Sequence, residues 1–241
     1  MRFGVVQFPG SNCDHDLIHL LAEVYQQEVV ELWHKHTDLQ GLTTDDCILL
    51  PGGFSYGDYL RCGAVARFSP IMTAVVAHAE RGGFVWGICN GFQILCEAGL
   101  LPGALLRNKD QQFICKNVWL KPATTNTSIT TYCETDVPLR IPIAHAEGRY
   151  YADAATLATL QKNDQILFRY CDEQGNVTET ANPNGAIDNI AGICNEKRNV
   201  FGMMPHPERC ADMRLGNIDG SLLFEGLLGM MQEIEIGSLG L

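Results

Sequence analysis

The chain has 241 residues and a formal net charge of −11, with 46% hydrophobic and 19% charged residues. This size and composition predict a substantial buried core and exclude a disordered protein, with only the last few residues as candidates for disorder. The 17 lysines and arginines are scattered, whereas nucleic-acid binding needs them clustered, so no nucleic-acid partner is expected.

The first hundred residues alternate predicted strands with predicted helices. A buried strand over residues 2–8 leads through the turn PGSN into a helix over residues 13–26, with Ser11 or Asn12 as its N-cap. Further elements follow in alternation, namely strands over 29–33, 47–50 and 84–88 and helices over 69–81 and directly after Cys89. This βαβα order predicts a mostly parallel central sheet with helices on both faces.

Beyond Gly99 the pattern changes to short strand-like segments. They cover residues 113–120, 128–133, 166–170, 190–194 and 200–204, and a last helix lies around 220–232. The sequence contains no internal repeat, low-complexity tract or linker. We therefore interpret residues 1–241 as one flavodoxin-like α/β domain with antiparallel strands added to the parallel sheet.

The N-terminus and the cysteines indicate the compartment. The first apolar run is too short for a signal peptide, and no segment approaches the roughly 20 apolar residues of a membrane helix. Many of the ten cysteines lie in apolar runs, and no two have C-x-x-C spacing. They are predicted to be core thiols of a cytoplasmic protein without a metal site, so the sequons at Asn126 and Asn176 carry no glycan.

Two segments match the nucleophile-elbow pattern G-x-[SC]-x-G, GICNG around Cys89 and GFSYG around Ser55. An elbow ends a strand and opens a helix through a strained turn, and Cys89, between Gly87 and Gly91, meets both conditions. Ser55 is separated from its strand by residues 51–53 and is the weaker candidate. A buried structural thiol is the alternative interpretation of Cys89.

The segment PHPE, at the end of a predicted strand, supplies a candidate base. Two prolines stiffen the backbone at His206, and Glu208 can point to the same side and hold the imidazole. The alternative is a strand-ending turn with incidental charge. The other histidines have plainer interpretations, at helix or strand edges (His15, His19, His34, His36, His78) or in a separate loop (His145).

Catalysis by a thiol also requires donors for a developing oxyanion. The backbone N–H of Asn90, directly after the nucleophile, is one candidate. Gly53, in the PGG loop after the neighbouring strand, is the other, although PGG alone is more often a simple turn. The helix that begins after Cys89 is expected to lower the thiol pKa and favour the thiolate.

Together, G-x-C-x-G-x-Q, P-G-G and H-P-E resemble the class I (triad-type) glutamine amidotransferases. Longer blocks span almost the whole chain in order and are similar to one family within that class, the glutaminase subunits of phosphoribosylformylglycinamidine synthases in purine synthesis. These blocks are PGGFSYGDYLRCGAVA, GICNGFQIL, HAEGRYY and NPNGAIDNIAGICNEKRNVFGMMPHPER. In HAEGR, Ala146 replaces the glycine common in relatives, which is unfavourable by about 1 kcal/mol if φ is positive there.

The resemblance implies that Cys89 attacks the carboxamide of glutamine, that His206 passes a proton to the leaving ammonia and that Glu208 orients His206. It further implies a role in substrate binding for four residues, with Gly53 and Asn90 in the oxyanion hole and Gln93 and Gly52 in the glutamine site. The ammonia would pass to a synthetase subunit that uses ATP and Mg²⁺, assembled with a small accessory subunit. This chain has no phosphate-binding glycine motif and is expected to bind no cofactor itself.

Three alternatives remain at this stage. The chain could serve a different synthase, act as a stand-alone glutamyl hydrolase, or be a non-enzymatic flavodoxin-like binding module. The glycine-rich loop over residues 51–63 is expected to move and to complete the site when a partner binds. Its apolar residues Phe54, Tyr56, Tyr59 and Leu60 would then contact the partner, unless they pack inside their own subunit.

Overall fold

The architecture is built around a nine-stranded sheet. The computed structural model describes residues 1–238, with side chains through residue 229. The described part contains eleven strands: β1 Arg2–Gln7, β2 Glu28–Trp33, β3 Cys47–Leu50, β4 Phe84–Ile88, β5 Ala104–Leu106, β6 Ile114–Pro122, β7 Leu139–His145, β8 Arg149–Tyr151, β9 Ile166–Cys171, β10 Ile190–Cys194 and β11 Val200–Met203. Residues 239–241, within the segment predicted to be disordered, lie outside the described part.

The described part contains five α-helices. They are α1 Asp14–His19, α2 Pro70–Glu80, α3 Asn90–Glu97, α4 Ala154–Lys162 and α5 Ser221–Ser238, and α1 continues as a π-helical segment over Leu20–Val24. The N-cap of α1 is Cys13, so the prediction of Ser11 or Asn12 was wrong. The hydroxyl of Ser11 instead accepts a hydrogen bond from Phe8 N at 3.1 Å and closes the turn after β1.

Nine strands form one mixed sheet in the order β2-β1-β3-β4-β11-β10-β9-β6-β7, and β5 pairs with β8 separately. The first five are mutually parallel, and β10, β9, β6 and β7 extend the sheet by antiparallel pairing. The predicted mostly parallel sheet with antiparallel additions is therefore confirmed. The parallel half has the 2-1-3-4-5 order of flavodoxin-like folds, in which ligands bind at the carboxyl ends of the strands near the switch point.

The direction of the crossovers places helices on both faces. The chain moves one way along the sheet from β1 through α1 to β2, and the opposite way from β3 through α2 to β4. Right-handed crossovers in opposite directions put their helices on opposite faces. Strands β3 and β4 are accordingly buried almost throughout, as expected for a sheet covered on both sides.

Several segments differ from the sequence prediction. Residues 128–133 were predicted as a strand but form turns, in which the Thr127 and Thr130 hydroxyls are 2.7 Å apart. Strands β5, β7 and β8 and helix α4 were not predicted. Helix α4 begins with a side-chain cap, since Asp153 Oδ1 accepts from Thr156 N at 2.7 Å.

All ten cysteines lie within the described residues and are unpaired, and most are buried. The prediction of core thiols without disulfides is therefore confirmed. Among the described helices, none has both the length and the apolar character that crossing a membrane would require.

Candidate active site

Cys89 lies at the sharp corner between β4 and α3. It is the N-cap residue of α3, with φ 52° and ψ −105°, and only 4% of the residue is exposed. A non-glycine residue in this conformation is strained by about 1 to 3 kcal/mol, which persists only where surrounding structure enforces it. The strained turn expected from the elbow motif is therefore present.

The two glycines of the elbow serve close packing. Neither Gly87 nor Gly91 has a positive φ. A Cβ on Gly87 would collide with the backbone of Gly91, and a Cβ on Gly91 would collide with the carbonyl of Leu50 in β3. The glycines thus allow α3 to press against β3 and β4, while the left-handed conformation falls on Cys89 itself.

His206 reaches the same edge of the sheet from the adjacent strand. Strand β11 is parallel to β4 with Met203 opposite Ile88. Cys89 follows its paired residue directly, and His206 lies three residues after Met203. The backbone N–H of His206 donates to the carbonyl of Pro142 at 2.8 Å. This contact joins the segment after β11 to strand β7 and fixes the backbone at His206.

Glu208 holds the imidazole as predicted from PHPE. His206 Nδ1 and Glu208 Oε1 are 2.6 Å apart, and both side chains are almost fully buried. Burial alone lowers the pKa of His206, but the charges of Glu208 and Cys89 outweigh it and raise this pKa well above its ordinary value. His206 Nε2 has no hydrogen-bond partner within the described residues and is the nitrogen left for proton transfer.

The two predicted oxyanion donors lie on either side of the nucleophile. Asn90 is the first residue of α3, so its N–H has no partner within the helix. Gly53 follows β3 with φ 144°, and within the described part its N–H donates no hydrogen bond. A side chain on Gly53 would strike the backbone of residues 10–12, so only glycine fits there.

The side chain of Gln93 is engaged within the protein. Its Nε2 donates to the carbonyl of Glu147 at 2.6 Å, and its Oε1 accepts from Asn90 Nδ2 at 2.8 Å. Asn90 Oδ1 in turn accepts from the backbone N–H of Ser55 at 3.2 Å. This chain of amides joins the loop over 51–63 to the loop after β7, and a direct contact between Gln93 and glutamine remains a prediction.

Ser55 does not share the geometry of Cys89. It is buried and begins a short 3₁₀ turn, and its hydroxyl has no hydrogen-bond partner in the described residues. The nearby His34 is bonded through Nδ1 to the Tyr56 hydroxyl at 2.7 Å. Ser55 therefore lacks both a following helix and a base, which leaves Cys89 as the nucleophile candidate.

Gly52 packs against His206 and Cys13. An added Cβ would lie 2.7 Å from His206 Cε1 and 2.9 Å from Cys13 Sγ. Its carbonyl accepts from the backbone N–H of Cys13 at 3.2 Å. The predicted role of Gly52 in glutamine binding stays a prediction, while the structure shows it making room for the base.

Cys13 and Arg209 are site residues that the sequence analysis missed. Arg209 Nη2 donates to Cys13 Sγ at 3.0 Å, and Arg209 Nε donates to Asp16 Oδ2 at 3.0 Å. Cys13 follows β1, which lies beside β3 at the switch point. The available signal was this position after the first strand, but only the sheet order shows that it faces the HPE segment.

His145 was placed in a separate loop, which is wrong. It is the last residue of β7, almost fully buried, and its Nδ1 lies 3.0 Å from Asn108 Oδ1. Burial, together with the charge of His206, lowers the pKa of His145 to about 4. Asn108 Oδ1 also accepts from Gly148 N at 3.1 Å, and Ala146 has no positive φ, so the penalty considered for alanine does not arise.

Comparison with known proteins finds a family model and relatives that match nearly the whole chain. A family model described as CobB/CobQ-like glutamine amidotransferase domain matches residues 1–220. The chain is 58% identical over 228 residues to phosphoribosylformylglycinamidine synthase subunit PurQ of Moorella thermoacetica, covering 95% of each protein. It is 54% identical over 231 residues to the PurQ subunit of Acaryochloris marina, covering 96% of this chain and 97% of the relative. A chain in the solved structure of PurLQS from Thermotoga maritima is 42% identical with a TM-score of 0.83, covering 95% of this chain and 98% of that chain.

Proposed function

This chain belongs to the CobB/CobQ-like glutamine amidotransferase domain family, and we propose that it is the glutaminase subunit of a phosphoribosylformylglycinamidine synthase. It hydrolyses L-glutamine to glutamate and ammonia. A synthetase subunit then uses the ammonia and ATP to convert formylglycinamide ribonucleotide to formylglycinamidine ribonucleotide in de novo purine biosynthesis. The near full-length similarity to PurQ subunits supports this assignment over a different synthase or a stand-alone hydrolase.

The reaction follows from the placement of the three side chains. The Cys89 thiolate attacks the carboxamide carbon of glutamine, and the backbone N–H groups of Gly53 and Asn90 stabilise the oxyanion. His206 gives a proton to the amide nitrogen, the C–N bond breaks, and ammonia leaves behind a glutamyl thioester. His206 then takes a proton from water, which attacks the thioester and releases glutamate, while Glu208 holds the imidazole throughout.

One observation carries the proposal: a strained, buried Cys89 follows β4 beside a buried His206–Glu208 pair that follows β11. A structural thiol has no need for this backbone strain, and a binding module has no need for a buried charged pair. The non-enzymatic flavodoxin-like alternative explains neither feature.

The partners are a synthetase subunit and a small accessory subunit. The structure of PurLQS, in which a similar chain occurs, supports such an assembly. The synthetase subunit uses ATP and Mg²⁺. We expect this chain itself to bind no cofactor, no nucleic acid and no membrane. The cytoplasm is the proposed location, supported by ten unpaired cysteines in the described residues.

Replacement of Cys89 by alanine tests the proposal in the assembled enzyme. We expect loss of glutamine-dependent synthesis and near-normal synthesis from ammonium salts, because added ammonia bypasses the thioester. Equal loss of both activities would contradict the division of labour between subunits. A glutamine-mimicking electrophile should label Cys89 alone among the ten cysteines, and uniform or absent labelling would favour a binding module.

A further inference from the structure

The turn after β1, residues 9–13, is bonded to the loop that bears the proposed oxyanion donor. Ser11 pairs with Gly53 in an isolated antiparallel bridge. On one side of this bridge, the backbone N–H of Phe54 donates to the carbonyl of Gly10 at 2.9 Å. The loop therefore takes its position from this turn, and a shift of the turn would also shift the Gly53 N–H.

One side chain ties this turn to the segment that carries the base. Arg209 lies three residues after His206. Its Nη2 donates to Cys13 Sγ at 3.0 Å, and its Nε donates to Asp16 Oδ2 at 3.0 Å. Cys13 in turn donates its backbone N–H to the carbonyl of Gly52 at 3.2 Å. Arg209 therefore connects the base segment, through the start of α1, to the oxyanion loop.

The bonds at Cys13 fit a neutral thiol. Burial raises the pKa of this thiol above its ordinary value. Its S–H donates to Asn12 Oδ1 at 3.3 Å, which leaves the sulfur free to accept from Arg209. The donors of a guanidinium form a rigid planar fork, so one arginine fixes the directions of its bonds to Cys13 and Asp16 together. Lysine has a single ammonium group and cannot reproduce this pair of bonds.

The base itself is held independently of this connection. His206 donates its backbone N–H to the carbonyl of Pro142 at 2.8 Å, and its ring is bonded to Glu208 at 2.6 Å. Loss of the Arg209 side chain should therefore displace the oxyanion loop and leave the base in place. We propose that Arg209 is a positioning residue for glutamine hydrolysis, which keeps the Gly53 N–H aligned with the oxyanion. This inference rests on the proposed glutaminase activity.

Steady-state kinetics of the chain assembled with its synthetase partners test the proposal. Arg209→Met keeps most of the side-chain length but donates no hydrogen bond. Because the oxyanion forms only after attack on glutamine, kcat should fall about 10- to 100-fold while KM stays within about threefold. Arg209→Lys should recover part of the loss. A side chain that only stabilised the fold would change the free energy of unfolding and leave kcat of the folded enzyme unchanged.

Alkylation of Cys89 provides a second readout. When iodoacetamide reacts, the sulfur forms a bond to the methylene carbon and iodide leaves, so no oxyanion develops. This reaction needs the thiolate of Cys89 but not the Gly53 donor. Its rate in Arg209→Met should therefore stay within about twofold of the wild-type rate. A fall of the alkylation rate in parallel with kcat would place the damage at the nucleophile or the base and would overturn the proposal.

Arg214→Met is the matched control. Arg214 also forms an ion pair, with Asp212 at 2.6 Å, and also reaches α1, where its Nη2 lies 3.1 Å from His19 Nε2. These contacts lie at the other end of α1 from the turn after β1. Arg214→Met should therefore keep the wild-type kcat, and an equal loss in the two arginine variants would contradict a specific role of Arg209.

Asp16→Ala keeps the proposal testable if Arg209→Met does not fold. It removes one of the two acceptors of Arg209 at a partly exposed position, and kcat should fall about three- to tenfold. Unchanged kcat in folded Arg209→Met, or in Asp16→Ala if the former does not fold, would overturn the inference and leave the proposed function standing. An assembled wild type that does not hydrolyse glutamine would overturn both.

Discussion

The backbone strain at Cys89 predicts that glycine stabilises the protein at the position of the nucleophile. Glycine adopts positive φ without a Cβ penalty, whereas alanine at φ 52° and ψ −105° retains the strain of cysteine. Comparing Cys89→Gly with Cys89→Ala removes the sulfur from both variants. The difference between them then reports the backbone alone.

The expected magnitude follows from two opposing terms. Strain relief contributes about 1 to 3 kcal/mol to the free energy of unfolding, and the extra chain entropy of glycine in the unfolded state subtracts about 0.5 to 1 kcal/mol. Cys89→Gly should therefore be more stable than Cys89→Ala by about 1 kcal/mol. If the free energy of unfolding decreases by about 3 kcal/mol per molar urea, the urea midpoint of Cys89→Gly should lie about 0.3 M above that of Cys89→Ala.

Urea unfolding of both variants, followed by circular dichroism and fluorescence, gives the measurement. Cys96 supplies the matched control, because it lies inside the same helix, α3, where glycine should be less stable than alanine by about 1 kcal/mol. Opposite signs at the two positions are the expected result. A Cys89→Gly variant no more stable than Cys89→Ala would refute the interpretation of this corner as a site of stored strain.

Three further predictions concern the residues around the base. Gly52→Ala should lower kcat/KM for glutamine about 100-fold by displacing His206. Gly41→Ala, where an added Cβ meets nothing within 4 Å, should leave kcat/KM unchanged. Equal kcat/KM values for the two variants would contradict a role of Gly52 in placing His206. Glu208→Gln should reduce glutaminase activity less than His206→Asn, by less than the ~10⁴-fold seen for serine triads, since a thiolate depends less on its base. Without the Glu208 charge, burial lowers the pKa of His206, and an NMR titration of its ring should show that fall; an equal or higher pKa would be inconsistent with it. The pKa of His145 is about 4 in the folded state and about 6.5 in the unfolded state, so on acidification the unfolded chain binds this proton first. The free energy of unfolding should therefore decrease as the pH falls through about 6.5, by about 2 kcal/mol at pH 5. His145→Asn should flatten this dependence of the unfolding free energy on pH, and an unchanged slope would exclude His145 as its source.

The parts of the site that lie close together in sequence were predictable. The elbow at Cys89 depends on a strand, two glycines and a helix within about a dozen residues, and the His206–Glu208 pair spans only two. Local patterns fix such features because each residue needs only its chain neighbours. The parallel half of the sheet was predictable for the same reason, since each strand and helix has its own apolar period.

Features that depend on strand order were not predictable. Cys13 lies near the base only because β1 pairs with β3, and His145 is buried only because β7 pairs with β6. Strand β7 contains Pro142, which is tolerated because β7 is the edge of the sheet and pairs on one side. Residues 128–133 are rich in β-branched residues, yet threonine hydroxyls there bond within turns in place of a strand ladder.

The loop over residues 51–63 combines an anchored point with a free surface. Tyr56 was expected to face a partner, but its hydroxyl bonds to His34 Nδ1 at 2.7 Å and Ser69 Oγ at 2.8 Å within this chain. Tyr59 and Leu60 are 76% and 93% exposed, and Phe54 is 46% exposed. These three apolar side chains belong to the loop that carries the Gly53 oxyanion donor, and they remain available to a partner.

We expect this loop to couple partner binding to glutamine hydrolysis. Hydrolysis of glutamine before the acceptor substrate is bound would waste ammonia. The isolated chain should therefore be poorly active until the bound synthetase fixes the loop and aligns the Gly53 N–H with the oxyanion. One misplaced oxyanion donor lowers the rate by about 10²- to 10³-fold, which is enough for a switch. Leu60→Asp should reduce the activation by the synthetase without changing the activity of the isolated chain.

The decisive measurement compares glutaminase turnover of the isolated chain with that of the chain bound to its synthetase partners, acceptor substrate and nucleotide. Val137→Asp is the control for Leu60→Asp, since Val137 is also exposed but precedes β7 and lies outside the loop. Activation of at least 100-fold in the wild type and Val137→Asp, but not in Leu60→Asp, is the expected pattern. If the isolated and the assembled wild type hydrolyse glutamine at rates within about threefold of each other, the difference is far below the effect of an oxyanion donor. The loop would then have no gating role.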